Sequence, residues 1–202
     1  VEDDPRPYAT LLAKGEDRRQ LILAVAQRSL TRSGWRNTTL SQIAAEAGVT
    51  AAGVLHHFQS KEHLLHALLD ARDADDAASS DQAGDLIEGI RSTADRIEHS
   101  PELVGMFVVL LVENLFPDTP LHERMLERWR TAVDIVADVI RRGQDDGRYR
   151  ADFDPRIRAV EIIAFITGME ISWLLDDSIE LQTVFNDYAT ALERDISAEG
   201  RS

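Results

Sequence analysis

The sequence predicts an all-α chain, with a small helix-turn-helix domain first and a larger helical domain after it. Three observations carry this. Apolar residues recur at intervals of three and four along most of the 202 residues, the spacing of one face of a helix. Ser, Thr and Asp stand where helices would start, and glycines where several would stop. No stretch shows sustained period-two alternation with β-branched enrichment. Hydrophobic residues make up 44% and charged ones 29%, a globular balance that excludes a wholly disordered chain. No apolar run reaches the roughly 18 residues of a spanning helix. No basic segment followed by an apolar one opens the chain, and with no cysteine there is no disulfide, thiolate nucleophile or thiolate metal ligand. The expectation is a cytoplasmic protein without a membrane partner.

Residues 1–13 contain Glu2, Asp3, Asp4, Pro5 and Pro7 and offer little to bury, which predicts a mobile arm. From Glu16 the positions Leu21, Ile22, Val25, Ala26, Ser29 and Leu30 keep helical spacing until Gly34 supplies a stop. Thr39 then caps a short helix with Gln42 in the capping-box position, and Gly48 ends it. Thr50 caps a second short helix that runs through His57. Ala44 is small where the two helices must cross, Gly48 permits a positive φ in the turn, and Ile43, Val49 and Val54 supply a shared core. That is the pattern of a helix-turn-helix.

Ser60 can cap a third segment, Lys61 to about Asp75, with Leu64, Leu65, Leu68 and Leu69 as its apolar stripe. Asp73 to Gly84 holds no large apolar residue and reads as the divide. The expected domains are therefore 14–75 and 76–202. Beyond the divide, helices are expected at about 85–99, 101–116, 120–146, 155–176 and 180–196. Gly143 and Gly147 should fray the third of these, Asp154-Pro155 should start the fourth, and Asp176-Asp177-Ser178 should end it. Met106 to Leu111 is apolar on every face, so that helix should be buried on all sides. No repeat of 20 to 50 residues is visible.

The net charge is −14, which alone speaks against a polyanionic partner. Its distribution is uneven. Lys14 to His63 carries seven Lys/Arg against four Asp/Glu, a net of +3, leaving −17 for the rest. A field of that kind favours approach to an anion by one end.

From about Asp17 to Leu69 the chain resembles the DNA-binding domain of the TetR family of bacterial transcriptional regulators. The resemblance rests on Gly34-Trp35, Thr38-Thr39-Leu40-Ser41-Gln42-Ile43-Ala44, Ala47-Gly48-Val49-Thr50 and His57-Phe58-Gln59-Ser60-Lys61-Glu62. It covers about a quarter of the chain; the rest matches in length and helical plan. It implies a homodimer that binds double-stranded DNA at an inverted-repeat operator, as a repressor released by a small-molecule effector. Thr50, Ala51, Ala52 and Gly53 would open the recognition helix, where small side chains admit base edges and thymine methyls. His56 and His57 would donate to phosphates. Thr39, Leu40 and Ser41 would clamp the backbone with Lys61, contacts that position without specifying. Leu55 stands where the family most often has a phosphate-binding Tyr, and Ala51 where a basic residue is common. Either affinity then leans more on Arg36, Lys61 and Arg6 of the arm, or the operator contacts are fewer.

The resemblance also places an effector cavity, whose candidate walls are Phe107, Leu110, Leu111, Asn114, Trp129, Val133, Phe165 and Met169, with Glu170 and Trp173 nearby. Their mixed aromatic and aliphatic character suits a hydrophobic or amphipathic effector. A carboxylate inside an apolar run, Glu113 or Glu170, must be partnered, face solvent or contact ligand. The last two helices carry Ile162, Phe165, Ile166, Met169 and Trp173, and Leu181, Val184, Phe185, Tyr188 and Leu192. These stripes are either a two-fold four-helix dimer interface or intramolecular core, and the resemblance favours the dimer. From it we take Ile162, Ile166, Leu181, Val184, Phe185, Tyr188 and Leu192 as interface residues. No nucleophile elbow, phosphate-binding glycine loop or HExxH motif is present, so no enzyme and no cofactor is expected. His63 and His66, three apart, read as surface residues rather than metal ligands, as do His99 and His122. The competing reading is a helical small-molecule-binding or protein-interaction module without specific DNA binding.

Overall fold

The computed structural model describes the backbone of residues 6–83 and 85–198, and side chains at 15–70, 72–73 and 85–198. Among these residues the chain is helical throughout: α1 (Arg6–Asn37), α2 (Leu40–Glu46), α3 (Ala51–His57), α4 (Lys61–Ala83), α5 (Leu86–His99), α6 (Pro101–Glu113), α7 (His122–Asp145), α8 (Pro155–Leu175) and α9 (Leu181–Ile196). It forms two compact units, Val1–Asp73 and Ala74–Ser202.

In the first unit, α1 starts at Arg6, ten residues before the expected Glu16. Residues 6–13 are thus helical rather than an arm, while 1–5 lie outside the described residues. Pro7 does not prevent this, because a first-turn N–H has no intrahelical acceptor to lose. Gly34 breaks the helical geometry with φ 72°, the stop read from the sequence. Thr38 then anchors the chain, its hydroxyl donating to the carbonyl of Gly34 at 2.8 Å. α1 packs on α2 and α2 on α3, with Ile22, Val25, Ala26, Leu30, Ile43, Ala44, Val54 and Phe58 buried. Leu21, expected on the apolar face, is exposed.

Polar contacts reinforce the α1–α2 pair. Glu46 accepts from Ser29 at 3.1 Å and from Arg32 at 2.9 Å. Gly48 holds φ 65° in the turn, and Val49 N donates to Ala44 O at 2.9 Å. α4 runs to Ala83 instead of ending near Asp75. The expected frayed helix end or loop lacks large apolar residues but carries Ala74, Ala77, Ala78 and Ala83, and alanine is the strongest helix former.

In the second unit α5 pairs with α9, α7 with α8, and α6 packs on α8. The core joins Ile87, Ile90, Ala94 and Ile97 to Val133, Ala137, Ile140, Leu181, Phe185 and Leu192. Helix boundaries fall within three residues of those expected. α6 stops at Glu113 because Asn114 turns its side chain back: Nδ2 donates to Leu110 O at 2.7 Å, while Oδ1 accepts from Leu121 N at 3.1 Å. α6 is also less enclosed than its composition suggests, with Val104, Met106, Phe107 and Leu110 buried but Val112 exposed.

Gly143 does not fray α7. It is buried inside the helix, where a Cβ would lie 2.1 Å from the Tyr149 ring. The reversal follows at Gly147, φ 79°. The segment after it is tied to the end of α9 by Arg150 N to Ile196 O (2.9 Å) and Ala198 N to Arg148 O (3.0 Å), and by Asp195 accepting from Arg150 and Arg158.

Candidate functional site

The recognition element is built from two capped helices of seven residues. At α2, Thr39 Oγ1 accepts from Gln42 N at 3.2 Å and Gln42 Oε1 accepts from Thr39 N at 2.8 Å, the reciprocal capping box. At α3, Thr50 Oγ1 accepts from Gly53 N at 3.0 Å. A Cβ at Gly53 would meet that hydroxyl at 3.3 Å, so the glycine makes room for the cap. The two threonines differ in what remains. The Thr39 hydroxyl also donates to Gln42 Oε1 at 3.0 Å, whereas that of Thr50 has no acceptor among the described residues and stays available to a phosphate.

Val54 and Phe58 bury one side of α3, and Ala51, Ala52, Leu55 and His56 are exposed on the other, with Gly53 and His57 half-buried. Leu55 is 45% exposed, an apolar surface suited to a thymine methyl. Ser41 and Arg36 are exposed and Leu40 is half-buried. Arg36 makes no hydrogen bond or ion pair among the described residues.

Lys61 is placed differently from the clamp inferred by resemblance. Its Nζ donates to Trp35 O at 2.5 Å and stands 3.6 Å from the centroid of the Trp35 ring. The ammonium thus closes the carbonyl end of α1 and holds the start of α4 against it. Next to it, Ser60 Oγ accepts from His63 N at 3.0 Å, and His63 Nδ1 accepts from Gln59 N at 3.2 Å. His63 is therefore part of a helix cap. His57 has its pKa lowered, first by burial and then by His56, Arg18 and Arg19, with Glu16 opposing. Arg18 was not among the sequence candidates. Its signal is the Arg18-Arg19 pair within α1, of which Arg19 lies over the Phe58 ring while Arg18 is exposed.

In the second unit the inferred effector residues divide. Val133, Phe165, Met169 and Trp173 meet in one cluster, Val133 fully buried and the others half-buried against it. Phe107 and Leu110 are buried and Leu111 half-buried on α6, with the Arg128 guanidinium 4.8 Å from the Phe107 ring. Trp129 is 40% exposed and so does not wall an interior cavity. Asn114 spends its amide on the α6–α7 connection. Glu170 is buried at 2% exposure. Neither the groove lined by Arg18, His56 and His57 nor the cavity lined by Asp85, Arg148, Tyr149 and Glu193 includes any of these residues.

The inferred dimer residues need correction. Ile162, Leu181, Phe185 and Leu192 are buried within the chain and cannot meet a partner. Tyr188 is half-buried and stacks on Phe165 at 3.6 Å between centroids; Ile166 and Val184 are also half-buried. The outward face of α8 instead carries Ile157, Ala164, Gly168, Ile171 and Leu175, all exposed, with Leu175 at 88%. Their heptad-like spacing was present in the sequence. α8 is apolar on so many positions that periodicity could not choose its core face.

The arrangement is that of a DNA reader: a capped helix with a small-residue face and exposed cations beside it, in a chain that also carries a separate helical unit. No helix among the described residues is long and apolar enough to cross a membrane. The family model described as bacterial regulatory proteins, tetR family, matches residues 22–68, which hold the helix-turn-helix with the adjoining parts of α1 and α4. The HTH-type transcriptional regulator TtgW of Pseudomonas putida is 30% identical over 122 residues, covering 57% of this chain and 88% of that protein. The HTH-type transcriptional repressor KstR2 of Mycobacterium tuberculosis is 26% identical over 192 residues, 91% of this chain and 94% of KstR2. Among solved structures, the SmeT–triclosan complex superimposes with a TM-score of 0.72 at 24% identity, over 91% of this chain and 93% of that one. Capped recognition element, helical second unit and similarity converge: the chain belongs to the tetR family of bacterial regulatory proteins, DNA-binding transcriptional regulators.

Proposed function

We propose that the protein is a homodimeric repressor that binds an inverted-repeat operator in the cytoplasm and is released by a small hydrophobic or amphipathic effector. The observation that carries the DNA side is the exposed Ala51, Ala52, Leu55, His56 face of α3 beside the Thr50 hydroxyl, whose proton has no acceptor among the described residues. Ala51, Ala52 and Leu55 read bases, and His56 donates to phosphate. Ser41, Arg36 and Thr50 position the phosphate backbone, with Thr39, Leu40 and Gly53 shaping the helix starts and Lys61 fixing the frame through Trp35. Residues 14–75 act as the DNA-binding domain and 76–202 as the effector and dimer domain.

The dimer forms through the outward stripe of α8, where Ala164 and Gly168 allow close approach and Ile157, Ile171 and Leu175 supply buried area. Ile166, Val184 and Tyr188 border it. Two-fold symmetry then sets the recognition helices about 34–36 Å apart for successive major grooves.

The effector enters among Phe165, Met169 and Trp173 over Val133, with Phe107, Leu110 and Leu111 on α6 and the buried Glu170 as a polar contact. KstR2 is named a repressor, and SmeT was solved with triclosan; both support this reading. Effector binding tilts the helix that starts at Lys61 and changes the spacing of the recognition helices. A coupling of about 1–3 kcal/mol changes operator affinity by roughly 5- to 150-fold. The test is anisotropy of a selected operator duplex during titration with triclosan and with medium-chain fatty acids. Release by one of them, with the compound recovered unchanged, is expected. Saturable binding of such a compound that leaves the DNA bound contradicts the repressor-release mechanism.

A further inference from the structure

The first unit carries a groove of about 550 Å³ between α1 and α3, lined by Gly15, Asp17, Arg18, Leu21, His56 and His57. A Cβ at Gly15 would meet nothing within 4 Å, so the α1 wall is open at that turn. Arg18 is exposed and makes no hydrogen bond or ion pair among the described residues. The adjacent carboxylate does not neutralise it: Glu16 accepts from Gln20 at 2.7 Å and lies 3.9 Å from Arg19. The His56 and His57 rings meet edge to face at 5.4 Å. His56 also belongs to the exposed face of α3, so the groove abuts the base-reading surface.

The charge on this wall is set by its two imidazoles. Arg18 and Asp17 offset each other, leaving the groove near neutral when both rings are neutral and positive when either is protonated. In the free protein burial and three neighbouring basic groups, His56, Arg18 and Arg19, disfavour a proton on His57, and Glu16 alone favours it. From α4, His63 contributes a ring already committed as an acceptor to Gln59 N, with Phe58 between. An anion in the groove reverses this balance, because opposite charge favours the protonated ring.

We propose that the groove walled by Arg18, His56 and His57 seats one phosphate of the DNA backbone, and that the protein takes up protons as duplex DNA binds. This rests on the DNA-binding reading and adds a contact outside the helix-turn-helix. It replaces the phosphate contact that Leu55 lacks. Because phosphate contacts are sequence-independent, the test does not need the operator.

The experiment uses the full chain and a fluorescein-labelled, mixed-sequence 30-base-pair duplex, with anisotropy titrations over a salt series at pH 6.0 and 8.0. Wild type binds more tightly at pH 6.0. Arg18→Gln reduces the slope of log K against log salt by about 0.9, the loss of one phosphate contact, and Arg18→Lys retains it. The double variant His56→Gln, His57→Gln abolishes the pH dependence, and His57→Gln alone weakens it. An unchanged slope in Arg18→Gln, or a pH dependence that survives the double variant, overturns the proposal while leaving DNA binding intact. No binding of any duplex by wild type would overturn both readings.

Discussion

Replacing Lys61 by methionine removes one ammonium and keeps a stem of similar length, so it isolates what the charge does between α1 and α4. The ammonium donates to Trp35 O at 2.5 Å and sits 3.6 Å from the Trp35 ring centroid. Without it that carbonyl loses its charged donor and keeps the Thr38 N–H, at 3.4 Å. A hydrogen bond to a charged group contributes about 1.5–3 kcal/mol, and a cation–π contact at a partly exposed site about 0.5–1. Both come from the same ammonium on the same residue, so they overlap rather than add. The expected loss is about 2 kcal/mol. With a urea dependence of about 2 kcal/mol per molar, the unfolding midpoint of the first unit falls by about 1 M. Trp35 is the unit's own reporter, being the one tryptophan before Trp129 and Trp173; in a Trp129→Phe, Trp173→Phe background its fluorescence follows this unit alone. The DNA salt slope should change little. A midpoint unmoved by Lys61→Met, together with a salt slope flatter by about one, would refute this and return Lys61 to the role of a free phosphate clamp.

Gly143→Ala forces a Cβ to within 2.1 Å of the Tyr149 ring and should cost about 1–3 kcal/mol, read as a lower thermal midpoint with helix content retained. Gly48→Ala places a side chain at φ 65° and should cost about 1–2 kcal/mol by urea unfolding. Ile171→Glu with Leu175→Glu should convert dimer to folded monomer in sedimentation velocity, whereas Phe185→Glu, fully buried, should unfold the second unit. His57 has a folded-state pKa below its usual 6.5, so the unfolded chain takes up that proton first. Its part of the stability is therefore lost as pH falls through 6.5 and levels off below the folded value. His57→Gln should remove that part of the slope in thermal midpoints between pH 7.5 and 5.5.

Most of the first unit was legible in the sequence, because its signals are local. Thr39 with Gln42, Thr50, Gly48 and Ser60 each act within four residues, and the structure uses all of them as read. The sequence reading ends α4 too early because its last turns hold no large apolar residue, and starts α1 too late because Pro5, Pro7 and the acidic residues before them outweigh Leu11 and Leu12. Alanine-rich and acidic turns can be helical without contributing to a core.

In the second unit the helices were found but their faces were not. α8 is apolar nearly all round, so Ile162 and Ile171 look equivalent until the positions of α7 and α6 are known. Asn114 and Trp129 were placed in a cavity by likeness alone; one closes a loop and the other is exposed. Lys61 shows the same limit at a single residue, since its contact with Trp35 spans 26 positions and leaves no periodic trace.

The central claim is that two recognition helices related by a two-fold axis read DNA. Selection of duplexes from a random pool by the full chain, followed by titration of the enriched sequence at two salt concentrations, tests it most directly. The account predicts an inverted repeat bound at roughly 10⁻⁸ M or tighter, with half-sites about one helical turn or more apart. Recovery of sequences with no common motif, released by modest salt, would contradict it and leave only nonspecific attraction to the basic end of the chain.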